Sequence, residues 1–304
     1  MSGKEKVILD TDIGSDIDDA FALAYLLSEP KCDLLGITTV TGQPLLRARM
    51  ASAQCLVMGR KEIPIYPGTE NPISVPLKQK KAPQAVMLKN WEHRKNFPKS
   101  EAIEFLRQTI HENPGEITLL AIGPMTNVGL LFAIDPEVPK LLKELVLMCG
   151  VFSYNLGKGN NFADPSQTVQ LLEWNAIGDP HATSIMYRAP VKNIRSFGLD
   201  VTMQVKMPIE DVRKKMTAKA LAPVKDFLTE WKAPFVIFHD PLAAVSIFHR
   251  DVCGYKRGDV EVELESSKLA GLTSFKPNPK GVNEVAFEVN TSKFFKVYFD
   301  TIGS

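Results

Sequence analysis

Cysteine is scarce in this chain, with four among 304 residues. Cys32, Cys55, Cys149 and Cys253 lie far apart and form no C-x-x-C pair, so a disulfide framework or cysteine zinc site is not expected. Buried reduced thiols are. No apolar run reaches the ~18 residues that a membrane-spanning helix needs. The opening Met1-Ser2-Gly3-Lys4-Glu5-Lys6 carries no apolar h-region, so a cytoplasmic protein without a membrane partner is expected. Nor does one sign of charge dominate. A formal net charge of +1 gives no electrostatic footprint for nucleic acid.

What is present is apolar residue in short, regularly spaced runs. With 44% hydrophobic residues the chain can build a sizeable core. Val7–Leu9, Leu34–Val40, Ile117–Ile122, Leu145–Met148 and Val191–Ile194 read as buried strands, being short and mostly ended by Gly or polar residues. Between them Ala20–Leu27, Leu45–Met58, Ser100–Asn113, Asn127–Ile134 and Pro165–Ala189 carry helical spacing. Such alternation predicts an α/β fold, an open and mostly parallel sheet with helices on both faces. Residues 1–304 are expected to form one domain, since no stretch reads as a linker. Residues 76–99 are basic and Pro-punctuated, a surface loop or flap, and residues 153–166 are a Gly- and Asn-rich loop. Residues 259–300 alternate in the β manner and are expected to add strands.

The densest chemistry lies at the first strand's end. Asp10, Asp12, Asp16, Asp18 and Asp19 crowd ten positions after Val7-Ile8-Leu9. So much like charge at close range would have to be partly protonated unless a cation compensates it. Oxygen-only ligands suit a hard divalent ion. In a strand Asp10 and Asp12 would share a face, Gly14 permits a tight turn, and Asp18 and Asp19 would open a helix where its dipole favours carboxylates. Adjacent helical residues diverge by about 100°, so these two should face different targets. N-capping and solvated charge would account for one or two of these aspartates but not for all. A second element is Phe238-His239-Asp240-Pro241, where Asp240 could be a further ligand and His239 could titrate near neutral pH. A third is Glu173-Trp174-Asn175 with Asp179-Pro180 beyond it.

The stretch Asp10-Thr11-Asp12-Ile13-Gly14-Ser15-Asp16-Ile17-Asp18-Asp19-Ala20-Phe21-Ala22-Leu23 resembles the N-terminal signature of the inosine–uridine preferring nucleoside hydrolase family. The likeness continues in order through Gly36–Gly42, Ala121–Val128, Val146–Gly150, Glu173–Asn175, His239–Pro241 and Val282–Val289. The resemblance implies that family's open, Rossmann-like α/β fold and Ca²⁺-dependent cleavage of the N-glycosidic bond of ribonucleosides. It implies one Ca²⁺ held by Asp12, Asp19, the Thr126 carbonyl and Asp240, with Asp10 supporting them. It implies ribose contacts from Asp18, Glu173 and Asn175, an apolar contact from Met148, and His239 near the base. Asn161 and Gln167 both match the asparagine that meets the 5′-hydroxyl. The family's homodimers or homotetramers are implied as well. Glycosidic bonds break through an oxocarbenium-like state. Ca²⁺ acidifies water less than Zn²⁺ does, so a carboxylate is needed as base, and Asp12 is the candidate.

The pattern also departs from the family's. Asp16-Ile17 are two extra residues before Asp18, and Asp16 has no assigned role. Gln43 stands where an asparagine or aspartate is common. The flap lacks the H-G-x-x-G-like segment, which leaves Trp91 as a stacking candidate and His93 as a proton-donor candidate. Lys78, Lys80, Lys81, Lys89, Arg94 and Lys95 raise the alternative of a phosphorylated or otherwise modified nucleoside. A non-catalytic nucleoside- or ribose-binding protein is a further alternative. Asp10-Thr11-Asp12 also resembles the nucleophile motif of haloacid-dehalogenase-type phosphatases, although Ile13-Gly14-Ser15 and His239-Asp240-Pro241 fit that motif badly.

Overall fold

The computed structural model describes residues 3–152 and 172–303. Its strands are β1 (Glu5–Thr11), β2 (Cys32–Thr39), β3 (Ile65–Pro67), β4 (Ile117–Ala121), β5 (Glu144–Met148), β6 (Ile194–Phe197), β7 (Lys206–Pro208), β8 (Phe235–Ile237), β9 (Cys253–Val262), β10 (Thr273–Pro277) and β11 (Asn283–Val289). Nine of them form one sheet in the order β10-β9-β11-β6-β5-β4-β1-β2-β3, and β7 and β8 form a separate antiparallel pair. From β3 to β11 every pairing within the large sheet is parallel, whereas β9 and β10 add an antiparallel edge.

Period-2 alternation splits the central strands between two apolar layers. Val7, Leu9, Leu120, Val146 and Met148 enter the layer that holds the helices Asp18–Ser28, Pro44–Val57 and His239–Phe248. Ile8, Leu119, Ala121, Leu145 and Leu147 enter the opposite layer, beneath the helices Ala102–Glu112, Thr126–Ile134 and Pro180–Arg188. Both faces are therefore covered, as a parallel sheet requires.

Three expectations shift. The strand expected at Val191–Ile194 lies at Ile194–Phe197, because Arg195 interrupts the apolar run that would mark it. Arg195 is 2% exposed and compensated by Glu144, which accepts from its Nε at 3.0 Å, while the Ser246 carbonyl accepts from Nη1 at 2.7 Å. Residues 259–300 end as the helix Thr291–Ile302, capped by Asn290, whose side chain accepts from the Lys293 N–H at 3.0 Å. The helix expected over Pro165–Ala189 becomes two within its described part, Trp174–Gly178 and Pro180–Arg188. The break falls at Asp179, which caps the second by accepting from the Ala182 N–H at 3.1 Å, and Pro180 then fixes the first helical φ. Residues 165–171 of that expectation, and the loop expected at 153–166, lie outside the described residues. In the flap, Pro83–Asn90 coils into a 3₁₀-helix.

Candidate active site

In the parallel core β1 lies between β2 and β4, so the chain leaves it in both directions. Ligands in open α/β sheets collect at such a switch point, beyond the carboxyl ends of the strands. A cavity of about 460 Å³ opens there, within the range of small-molecule sites. Its lining includes Asp12 and Ser15–Asp16 from the turn after β1, Asp18 and Asp19 from the next helix, Ile122 after β4, Met148 at the end of β5, and Glu173 to Asn175. Leu199, Met203, Ile237, His239 and Asp240 close the other side, and Gln79 reaches in from the flap.

The aspartates converge rather than diverge. One carboxylate oxygen each from Asp18, Asp19 and Asp240 lie within 4.8 Å of one another, and all three residues are buried. The Asp240 N–H donates to Asp18 Oδ2 at 3.3 Å, and Thr11 Oγ1 donates to Asp19 Oδ1. Asp18 and Asp19 thus meet the same centre, contrary to the expectation of separate targets, because Asp240 arrives from a second helix and bridges the angle between them. Burial pushes Asp18 up to about 7, and the charge of Asp16 adds to it. Burial pushes Asp12 up to about 6, opposed by Arg47 and reinforced by Asp16. Asp19 and Asp240 rise for the same reason and by repulsion from their neighbours. A set of oxygen donors strained by mutual repulsion fits a hard divalent cation.

Asp10 and Asp12 do not share a face, because β1 ends at Thr11 and the strand's period ends with it. Asp12 enters the cavity. Asp10 stays under the sheet, where its Oδ1 accepts from Thr38 Oγ1 at 2.5 Å and Asn127 Nδ2 at 2.7 Å. Its Oδ2 is buried without a partner, and burial pushes the carboxyl to about 7. Thr126 opens the helix behind the cavity, its hydroxyl donating to Asp179 Oδ2 at 2.8 Å, and it is not among the lining residues.

Glu173 is held by three backbone N–H groups, of Asn175 at 2.7 Å, Ala176 at 2.8 Å and Gly150 at 3.0 Å. Burial pushes it up to about 7 against these donors. Asn175 donates to the carbonyls of Ile122 at 2.8 Å and Met148 at 3.0 Å, tying β4, β5 and the Glu173 turn together. His239 Nδ1 pairs with Thr202 Oγ1 at 2.7 Å, and burial lowers the ring to about 4. That direction runs against the titration near neutral pH expected of it.

Other expected contributors stand elsewhere. Trp91 does not line the cavity; its Nε1 donates to Asp226 Oδ2 at 3.1 Å. His93 does not line it either, and its Nδ1 pairs with the Trp91 carbonyl at 2.8 Å. Gln43 accepts from the Ala82 N–H at 2.9 Å and so ties down the flap. None of Lys78, Lys80, Lys81, Lys89, Arg94 and Lys95 is a lining residue, although Gln79 of the same stretch is. Asn161 and Gln167 lie outside the described residues.

Arg47 is the contributor that sequence reasoning missed. It is 0% exposed, and Nη1 donates to the carbonyls of Asp12 and Ile13 and to Ser15 Oγ, while Nε donates to the Gly42 carbonyl at 2.9 Å. A fixed cation thus holds the acidic turn from behind. An arginine inside an otherwise apolar helical face, Leu45-Leu46-Arg47-Ala48, was the available signal. The flap is fastened to the same turn, with Gln84 Nε2 donating to the Ser15 carbonyl at 3.0 Å and the Gln84 N–H to that of Gly14 at 3.2 Å.

Known proteins resemble the chain over most of its length. The chain is 33% identical over 303 residues to probable uridine nucleosidase 2 of Arabidopsis thaliana, covering 93% of this chain and 89% of that protein. It is 30% identical over 280 residues to uridine nucleosidase 1 of the same plant, covering 86% and 79%. The fold superposes on a plant nucleoside hydrolase with a TM-score of 0.78 at 25% identity, covering 99% of each chain. The family model for inosine-uridine preferring nucleoside hydrolases matches residues 7–296, and the chain belongs to that family.

Proposed function

We propose that the protein is a Ca²⁺-dependent ribonucleoside hydrolase that releases ribose and a free purine or pyrimidine base. The observation that carries this reading is the convergence of Asp18, Asp19 and Asp240 within 4.8 Å at the switch point of the sheet, with Asp12 beside them. Asp12, Asp19 and Asp240, with the Thr126 carbonyl, would hold the ion, and the clustering of Asp18 with them puts a fourth carboxylate in reach. Bound there, Ca²⁺ would orient the ribose diol and make water easier to deprotonate.

The chain's own groups do the rest. Asp12 takes the proton from the attacking water, as its place on the cavity wall beside the converged carboxylates suits a base. Asp18 and Glu173 accept hydrogen bonds from ribose hydroxyls, and Asn175 fixes the sugar's seat. Met148 covers the sugar's apolar side. The carboxylates around the ring stabilise the positive charge that develops on ribose. His239, half-buried, stands beside the apolar wall of Leu199, Met203 and Ile237 where the base would lie.

The test is reducing-sugar release from uridine, inosine, adenosine, guanosine and cytidine, with and without a chelator. Uridine comes first because the relatives are named for it. Chelator-sensitive release should fall about 10²–10⁴-fold in Asp12→Asn. Release that ignores the chelator, or an Asp12→Asn variant of full activity, removes the reading of metal and base respectively.

A further inference from the structure

We infer that Arg47 and Gln84 are positioning residues that couple the ion site to the flap. Ca²⁺ binding and the seating of residues 76–99 then strengthen each other; the inference rests on the Ca²⁺ reading above. Neither side chain lines the cavity, and both are buried, Arg47 at 0% and Gln84 at 1% exposure. Three segments meet at the Arg47 guanidinium. Nη1 donates to the Asp12 carbonyl, to that of Ile13 at 3.1 Å and to Ser15 Oγ at 2.9 Å, all in the turn that carries the aspartates. Nε donates to the Gly42 carbonyl in the loop after β2, and Nη2 reaches the Lys81 carbonyl of the flap at 3.5 Å.

Gln84 completes the junction from the flap's side. Its N–H and its Nε2 donate to the Gly14 and Ser15 carbonyls, so Ser15 is held at its hydroxyl by Arg47 and at its carbonyl by Gln84. The same amide's Oε1 is buried and has no partner among the described residues. A buried acceptor left unsatisfied costs stability. An apolar side chain of equal length would pack there without that cost, so the amide is placed for its bond to Ser15 rather than for filling space.

The consequence runs in both directions. Without an ion the carboxylates repel one another and press the turn outward. Arg47 and Gln84 fix its backbone between Asp12 and Ser15, so an ion meets ligands already in place and less of its binding energy goes into ordering them. Linkage then requires the reverse. An ion that binds more tightly when the flap is seated must itself favour the seated flap, by the same factor. A guanidinium acting only as a counter-charge would do neither, and a lysine ammonium would serve in its place.

The experiment measures Ca²⁺ affinity by calorimetry on chelator-stripped protein, shown to be folded by circular dichroism, for the wild type, Arg47→Lys and Gln84→Met. Couplings between sites are commonly worth roughly 5–150-fold, and each variant should bind Ca²⁺ about tenfold more weakly. Limited proteolysis within residues 76–99 should be slowed by Ca²⁺ in the wild type and much less so in Gln84→Met. Gln84→Met removes the orphaned oxygen together with the amide, so it carries the test if Arg47→Lys does not fold. Unchanged Ca²⁺ affinity in Gln84→Met, or flap digestion indifferent to Ca²⁺ in the wild type, overturns the inference. Full affinity in Arg47→Lys reduces Arg47 to a counter-charge and overturns its positioning role. Coupled Ca²⁺ binding without ribose release from any nucleoside leaves the inference standing and removes the hydrolase reading. No Ca²⁺ binding by the wild type removes the metal reading and this inference together.

Discussion

Arg47 and the carboxyl groups it faces make the sharpest statements at the scale of single residues. Replacing Arg47 by Met would leave the carbonyls of Asp12, Ile13 and Gly42 without their buried donor, and the loss should be about 3 kcal/mol. A shift of the urea midpoint, with catalysis lost in parallel, checks it. An unchanged midpoint would mean that water replaces the guanidinium. The acids predict a pH dependence whose sign is fixed. Asp10 and Asp18 stand at about 7 and Asp12 at about 6 when folded, against 3.8 when unfolded, and Glu173 at about 7 against 4.5. Across that interval the folded state binds more protons than the unfolded one. Their contribution is therefore complete below about pH 4 and is lost as pH rises through 6 to 7. In a chelator, Tm should fall between pH 5 and pH 7.5, and added Ca²⁺ should restore more of it at the higher pH, since ligands must be deprotonated. A Tm in chelator that rises over that range would contradict the burial of these charges.

At the scale of elements, the loop between β2 and the helix Pro44–Val57 decides where the flap rests. Thr41 and Gln43 both hold positive φ, 61° and 63°, a strained state for residues with a Cβ. Gly42 between them meets the flap so closely that a Cβ there would stand 2.2 Å from the Gln79 carbonyl. Gly42→Ala should lift the flap, expose residues 76–99 to limited proteolysis and raise KM more than it lowers kcat. Intact protease resistance would show that the bonds of Gln43 and Gln84 hold the flap without the close approach at Gly42. The sequence made the strands and helices around this loop legible, because most core strands are short apolar runs and the helices between them are long enough to be told from strands. The acidic turn was legible for a different reason, the improbability of so much like charge. What stayed hidden was whatever depends on direction. The period of β1 ends at Thr11, so Asp10 and Asp12 part company, and the buried charge of Arg195 disguised β6. Trp91 and His93 have suitable chemistry but turn toward Asp226 and each other, which no spacing in the flap encodes.

The whole molecule is a sheet sealed on both faces, and its cysteines report on that seal. Cys32, Cys55 and Cys149 are buried, and burial pushes Cys32 and Cys55 up to about 12 and Cys149 well above its ordinary value. A thiol reagent at pH 8 should therefore leave these three unmodified until global unfolding, and their modification should follow the same denaturant curve as the loss of helical signal. Early modification of Cys149, which follows β5, would reveal local opening at the cavity floor. Separation along the chain adds a constraint of its own. Asp18 accepts from the Asp240 N–H, which lies 222 positions later. The acidic cluster cannot close until the two helices that carry them have met. Until then Asp18 and Asp19 carry their repulsion with no partner from the far helix, so a fragment that stops before His239 should gain nothing from calcium. Ion capture would then report that two distant stretches of chain have found one another.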